Sequence, residues 1–123
     1  MARVVLVTGA RNIDSETAIR LCEELERQAP DIVIHGGAIG ADSVADDWCR
    51  RKGAIAHAHY PDYQRDGWRA PLERNISMVV SLVDLGGTRV IAAPMPGSRG
   101  TWHCVTQALA RGLTIIKVSE VRP

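Results

Sequence analysis

Asp31-Ile32-Val33-Ile34-His35-Gly36-Gly37-Ala38-Ile39-Gly40-Ala41-Asp42 is the stretch that decides the fold. Its first five residues make an apolar run of strand length, rich in β-branched side chains. Ala41, Val44, Ala45 and Trp48 then stand at i, i+3, i+4 and i+7, one face of a helix that stops before Gly53, a residue suited to a helix C-terminus. Strand, glycine turn and helix in that order are half of a βαβ unit.

The same alternation runs along the chain. Strand-length runs occur at residues 3–8, 31–35, 55–60, 89–93 and 114–118. A first helix carries Ala18, Leu21, Cys22 and Leu25 on one face, with Asp14 or Ser15 as its N-cap. A third places Ile76, Val79, Val80 and Val83 together and ends near Gly86-Gly87. A fourth runs from about Thr101 to Arg111, burying Val105, Ala108 and Leu109 and closing at Gly112. Short crossovers between parallel strands are nearly always right-handed. The expected fold is therefore α/β: one three-layer Rossmann-like domain over residues 1–123, with a mainly parallel five-stranded sheet. Residues 61–71, Pro-Asp-Tyr-Gln-Arg-Asp-Gly-Trp-Arg-Ala-Pro, read as one long irregular loop, a length usually functional or disordered.

Composition narrows the classes. The chain has 123 residues, 46% hydrophobic and 24% charged, which argues against disorder, collagen and coiled coil. Fifteen Lys+Arg against fourteen Asp+Glu leave a net charge of +1, without the footprint of a general nucleic-acid binder. Thirteen of the fifteen cations are arginine, a bias that fits bidentate contact with phosphate or carboxylate and equally a GC-rich genome. No apolar run approaches the roughly 20 residues of a membrane helix, and the start lacks a signal peptide's apolar region, so the expected compartment is the cytoplasm. Cys22, Cys49 and Cys104 show no C-x-x-C spacing and read as free thiols.

In an open α/β sheet, ligands bind outside the carboxyl ends of the strands. Three such turns are rich in small residues: Thr8-Gly9-Ala10-Arg11-Asn12, the Gly36-Gly37-Ala38-Ile39-Gly40-Ala41-Asp42 segment, and Pro94-Met95-Pro96-Gly97-Ser98-Arg99-Gly100-Thr101. Glycines let main-chain amides approach an anion at a helix N-terminus. Arg65, Arg69, Arg74 and Asn75 come toward the same edge from the long loop and third helix. No glycine turn continues into Gly-Lys-Ser/Thr or spells G-x-G-x-x-G with an acid about 20 residues on, which counts against ATP hydrolysis and nicotinamide chemistry; no cofactor is expected. A nucleophile elbow G-x-S-x-G is absent as well.

The segments Val7-Thr8-Gly9-Ala10-Arg11, His35-Gly36-Gly37-Ala38-Ile39-Gly40-Ala41-Asp42, Tyr60-Pro61, Arg74-Asn75 and Pro96-Gly97-Ser98-Arg99-Gly100-Thr101 resemble the SLOG superfamily, particularly its small YpsA/YspA-related members. The superfamily also holds the LOG phosphoribohydrolases and the DNA-processing protein DprA. The resemblance runs in order over nearly the whole chain. It implies a pocket for a nucleotide or nucleotide-derived ligand, often in a dimer, and small members are often phage or mobile-element genes. The ligand-binding positions it implies are Thr8, Gly9, Ala10, Arg11, Gly36, Gly37, Gly40, Ala41, Asp42, Arg74, Asn75, Pro96, Gly97, Ser98, Arg99, Gly100 and Thr101. LOG enzymes carry P-G-G-x-G-T-x-x-E; here Ser98 replaces the second glycine, Cys104 stands at the glutamate and Asn75 replaces a lysine. A thiol cannot stand in for a carboxylate that stabilises an oxocarbenium-like centre or activates water.

The leading expectation is thus a binding or sensing protein for such a ligand. The alternative is an N-glycosidase or phosphoribohydrolase using His35, Asp42 or a loop acid, Asp62, Asp66 or Glu73. A DprA-like strand binder is disfavoured by the charge. Arg11, Arg74 and Arg99 are the preferred phosphate contacts over Arg50 and Arg51, which sit at a helix C-terminus. Asp42 suits a ribose hydroxyl or simply the helix dipole. Trp68 and Trp102 suit a base or a subunit interface; Trp48 reads as core. His57 and His59 share a strand face, but nothing places them with His103 and Cys104, and no metal is expected. His35 suits a base contact, an acid/base role or a structural hydrogen bond.

Overall fold

The β-branched runs pair as parallel strands, and the three at the centre of the sheet are buried on both faces while the two edge strands are largely exposed. The computed structural model describes residues 2–123. Its strands are β1 (Val4–Gly9), β2 (Ile32–His35), β3 (Ile55–Ala58), β4 (Arg89–Ala93) and β5 (Thr114–Lys117). They form one all-parallel sheet in the order β3-β2-β1-β4-β5. The chain winds outward from β1 to β3, then returns to β4 and winds out the other way. The reversal lies between β1 and β4, where the connections after the two strands part and leave a crevice.

Period-two alternation divides the core. Val5 and Val7 of β1, with Val33 and Ile91, face Leu21 and Leu25 of α1 (Ser15–Gln28) and Ala45 and Trp48 of α2 (Ala41–Lys52). Val4 and Leu6, with Ile34 and Val90, face Met78, Val79 and Leu82 of α4 (Ala70–Asp84) and Cys104 and Ala108 of α5 (Arg99–Leu109). Each Val, Leu, Ile or Met among these, taken fully from water, contributes about 1.5–3 kcal/mol. Asp14 caps α1, accepting from the Thr17 amide at 2.8 Å, and Gly53 ends α2 at φ +76°. No described helix is long and apolar enough to cross a membrane.

The structure corrects three expectations. Residues 61–71 are not an irregular loop: Asp62 accepts from the Arg65 amide and caps α3 (Tyr63–Asp66), a 3-10 turn follows at Gly67–Arg69, and Pro71 stands in the first turn of α4. Pro has no N–H to lose there, so it starts a helix rather than stopping one. On α4 the buried face is Ala70, Asn75, Met78, Val79 and Leu82, whereas Val80 and Val83 are exposed and Ile76 half-buried. Hydrogen bonds of the buried Asn75 to α5 turn the helix by about one residue from the purely apolar stripe. On α5 the inward stripe is Thr101, Cys104, Val105 and Ala108, and Leu109, one place off it, is 58% exposed.

Candidate functional site

The turn after β1 is drawn tight. A Cβ on Gly9 would lie 2.5 Å from the Ala41 methyl and 2.8 Å from the Ala93 carbonyl oxygen, so only glycine lets β1, β4 and α2 meet there. The Ala10 amide donates to the Ala93 oxygen at 3.0 Å, and the Ala10 carbonyl accepts from the Ala41 amide at 3.2 Å. The first two glycine turns are thereby joined, with Gly40 (φ +83°) at the joint.

The second turn is held by two side chains. His35 Nδ1 accepts from the Gly37 amide at 3.0 Å while its Nε2 meets Asp46 Oδ1 at 2.9 Å, which makes Nε2 the protonated nitrogen. That N–H holds the Asp46 carboxyl below the usual carboxylate range, with Arg50 helping. Asp42 Oδ2 accepts from the Ala38 amide at 3.2 Å. Burial pushes the Asp42 carboxyl up, against the pull of the Ala38 and Gly36 amides and the Arg74 charge. Both ring nitrogens of His35 are occupied in the scaffold, so it is a positioning residue for the turn. His35→Phe is expected to cost about 1–3 kcal/mol in urea unfolding, since it strands the Gly37 amide. A loss below the lower bound would mean that the turn is held by other contacts.

The third turn opens α5. Ser98 turns its hydroxyl back to Met95, donating to the carbonyl at 2.7 Å and accepting from the amide at 3.1 Å, and makes no cap for the helix. Among the described residues, the Gly100 and Thr101 amides have no acceptor outside the helix, and Thr101 Oγ1 is buried without a partner. Asn75 donates to the Gly100 carbonyl and to His103 Nδ1, both at 3.1 Å, which pins this end of α5 to α4. Burial lowers the His103 pKa and keeps that nitrogen an acceptor.

These turns surround a cleft of about 600 Å³. It is lined by Thr8, Gly9, Ala10, Arg11, Gly36, Gly37, Asp42, Arg74, Asn75 and the run from Pro96 to Thr101, all expected from sequence. Gly40 and Ala41, also expected, lie behind the lining, and so does His35. Asn12, Ala38 and Pro61, which stand in the quoted turns and segments but not among the expected ligand positions, also line the cleft, and Tyr63, Pro71, Leu72 and Met78, not expected there, add to its apolar wall. The tyrosine stood in the 61–71 segment, where the tryptophan drew the eye. Trp68 is 78% exposed beneath the Arg69 guanidinium and lines no part of the cleft, nor does the half-buried Trp102.

Charge is distributed unevenly. Arg11 and Arg99 are exposed at the cleft and form no ion pair among the described residues. Arg74 donates to the Gly36 carbonyl at 2.5 Å and to Asn75 Oδ1 at 3.1 Å, with no carboxylate partner. Arg65 pairs with Asp66 and Arg69 with Glu73, away from the lining, which commits those two loop acids, while Asp62 caps α3. Cys104 is buried, and its thiol is pushed up to about 11, so it is inert as a nucleophile. His57 and His59 stack at 4.8 Å on β3, His59 against the Ser77 hydroxyl, and no group of three or more metal-ligating side chains occurs among the described residues.

A doubly wound parallel sheet with glycine turns around a cleft at its switch point defines a Rossmann-like fold. Two solved structures share this fold. DprA, the DNA processing protein A of Streptococcus pneumoniae, superposes with a TM-score of 0.72 at 16% identity, over 94% of this chain and 50% of that one. The protein TM1055 superposes with a TM-score of 0.66 at 17% identity, over 92% of this chain and 72% of that one. The chain thus spans half the length of the DprA structure it matches. No known protein-family profile matches the sequence. In sequence it is 35% identical over 126 residues to the Gene 61 protein of Mycobacterium phage D29, covering 96% of this chain and 98% of that protein. The chain belongs to the family of that phage protein.

Proposed function

We propose that the protein binds a nucleotide or nucleotide-derived small ligand in the cleft, with a phosphate at the start of α5. The observation that carries this reading is Thr101 Oγ1, a buried hydroxyl with no partner beside the free Gly100 and Thr101 amides. A polar atom left so costs the free protein, and a phosphate oxygen would satisfy all three donors where the helix dipole also favours an anion. Arg11 and Arg99 supply unpaired charge at the rim. Tyr63, Pro61, Pro71 and Leu72 offer an apolar wall for a base. Near-neutral overall charge suits a small ligand better than a polynucleotide strand.

Incubation with a pool of nucleoside phosphates, ADP-ribose and cyclic nucleotides, followed by mass spectrometry, is expected to recover an intact phosphate-bearing ligand on the protein. Recovery of none would defeat the reading. Release of free base and sugar phosphate would replace it with N-glycosidic hydrolysis, for which Asp42 is the only carboxylate lining the cleft among the described residues.

A further inference from the structure

Asp42 is 7% exposed, lines the cleft and forms no ion pair among the described residues. One carboxylate oxygen, Oδ2, accepts from the Ala38 amide. The Gly36 amide also favours the charged carboxylate without completing a well-formed hydrogen bond, and the other oxygen is not among the buried atoms shut off without a partner. Arg74, whose charge acts on the Asp42 carboxyl, keeps its guanidinium on the Gly36 carbonyl and Asn75. A carboxylate held this way is poorly compensated, and burial accordingly raises its pKa. The helix dipole explains an acid in the first turn of α2, but it would be served equally by an exposed one.

Sheet order locates Asp42 relative to the rest of the cleft. The free amides of α5 follow β4, Thr8 to Asn12 follow β1, Asp42 follows β2, and Pro61 and Tyr63 follow β3 at the sheet's edge. With strands about 4.8 Å apart, the path from β4 to β3 covers roughly 14 Å. A ligand anchored by phosphate at α5 and by an apolar ring at Tyr63 must pass its middle over the turns after β1 and β2. In a nucleotide that middle is the sugar.

We infer that Asp42 selects the sugar: the cleft takes ribose rather than deoxyribose phosphates, the adjacent pentose hydroxyls donating to the second Asp42 carboxylate oxygen. This rests on the phosphate-binding reading above and narrows its ligand to ribosyl phosphates. It makes Asp42 a specificity-determining residue. Vicinal hydroxyls satisfy a buried carboxylate without bringing a second charge.

The test is calorimetric titration with 5′-AMP, its 2′-deoxy and 3′-deoxy analogues, ribose 5-phosphate, 2-deoxyribose 5-phosphate and inorganic phosphate. With the wild-type protein, at least one of the two deoxy-AMP analogues is expected to bind about tenfold or more weakly than AMP, the size of one lost hydrogen bond to a charged group. Asp42→Asn can keep the acceptor for the Ala38 amide while turning an NH₂ toward the cleft. It should weaken AMP by a similar factor, abolish the preference over the deoxy analogues, and leave the melting temperature unchanged or higher. Equal affinities for AMP and both analogues in the wild-type protein, or a ribose preference that survives in Asp42→Asn, would overturn the inference and leave the phosphate reading standing. A merely structural Asp42 would also overturn it, revealed by a lower melting temperature with all nucleotides weakened alike. If inorganic phosphate and every phosphate ester fail to bind, the reading beneath falls and this inference with it.

Discussion

Gly40→Ala is expected to destabilise the protein by about 3 kcal/mol and to abolish ligand binding in the cleft. Gly40 has φ +83° and ψ −126°, outside the left-handed helical region and open essentially to glycine alone, so a residue with a Cβ costs about 1–3 kcal/mol there. That Cβ would also lie 2.3 Å from the Ala10 carbonyl oxygen and 2.6 Å from that of Arg11. Both are main-chain atoms, so no side-chain rotation relieves the overlap, and overpacking of this kind adds about 1–3 kcal/mol. Relief requires the second glycine turn to lift from the first, which breaks the hydrogen bond from Ala41 to Ala10 and widens the cleft floor. Gly53→Ala is the control. Gly53 has a similar φ of +76° with nothing within 4 Å of its Cβ position, so only the conformational cost of about 1 kcal/mol applies. Urea unfolding of both variants measures the difference. Equal losses would show that the two turns tolerate separation and that Gly40 matters only for its backbone angle.

Thr101→Val should move stability and binding in opposite directions. The replacement keeps the shape of a side chain that is 3% exposed and deletes the one hydroxyl in the cleft lining that is buried without a partner. Removing an unsatisfied buried hydroxyl is worth about 1–2 kcal/mol to the free protein, seen as a higher unfolding midpoint. The same change removes a donor to the bound phosphate and is expected to weaken phosphate-ester binding about tenfold or more. A hydroxyl retained for packing would predict losses in both measurements or in neither. Loss of stability with unchanged binding would remove Thr101 from the site.

The parts of this architecture visible in the sequence are those set by near neighbours. The runs at 3–8 and 31–35 are dense in β-branched residues, and the glycines that follow β1, β2 and β4 mark where the main chain must turn closely. Asp14 and Gly53 signal their helix ends through contacts only three or four residues long. Residues 61–71 misled because polar composition was read as irregularity, while a single Asp62 cap and a Pro in the first turn of α4 suffice to make helix.

What stayed hidden depends on partners far away in the chain. Hydrophobic spacing on α4 favoured Val80 and Val83 as the buried face, yet Asn75 turns inward because Gly100 and His103, 25 and 28 residues on, accept its hydrogen bonds. Tyr63 faces the cleft and Trp68 faces away, a choice made by the path from β3 to α4 and not by which ring is larger. His35 looked chemically available until Gly37 and Asp46 were seen to occupy both its nitrogens. The sequence alone determined the alternation of strands and helices and the glycine turns, because backbone angles and side-chain periods are local properties. The gathering of those turns into one cleft, with the Thr101 hydroxyl unpaired among the described residues at one side and Asp42 buried between the start of α5 and the apolar wall, was decided by the tertiary structure, because sheet order and hydrogen-bond satisfaction depend on contacts across the whole chain.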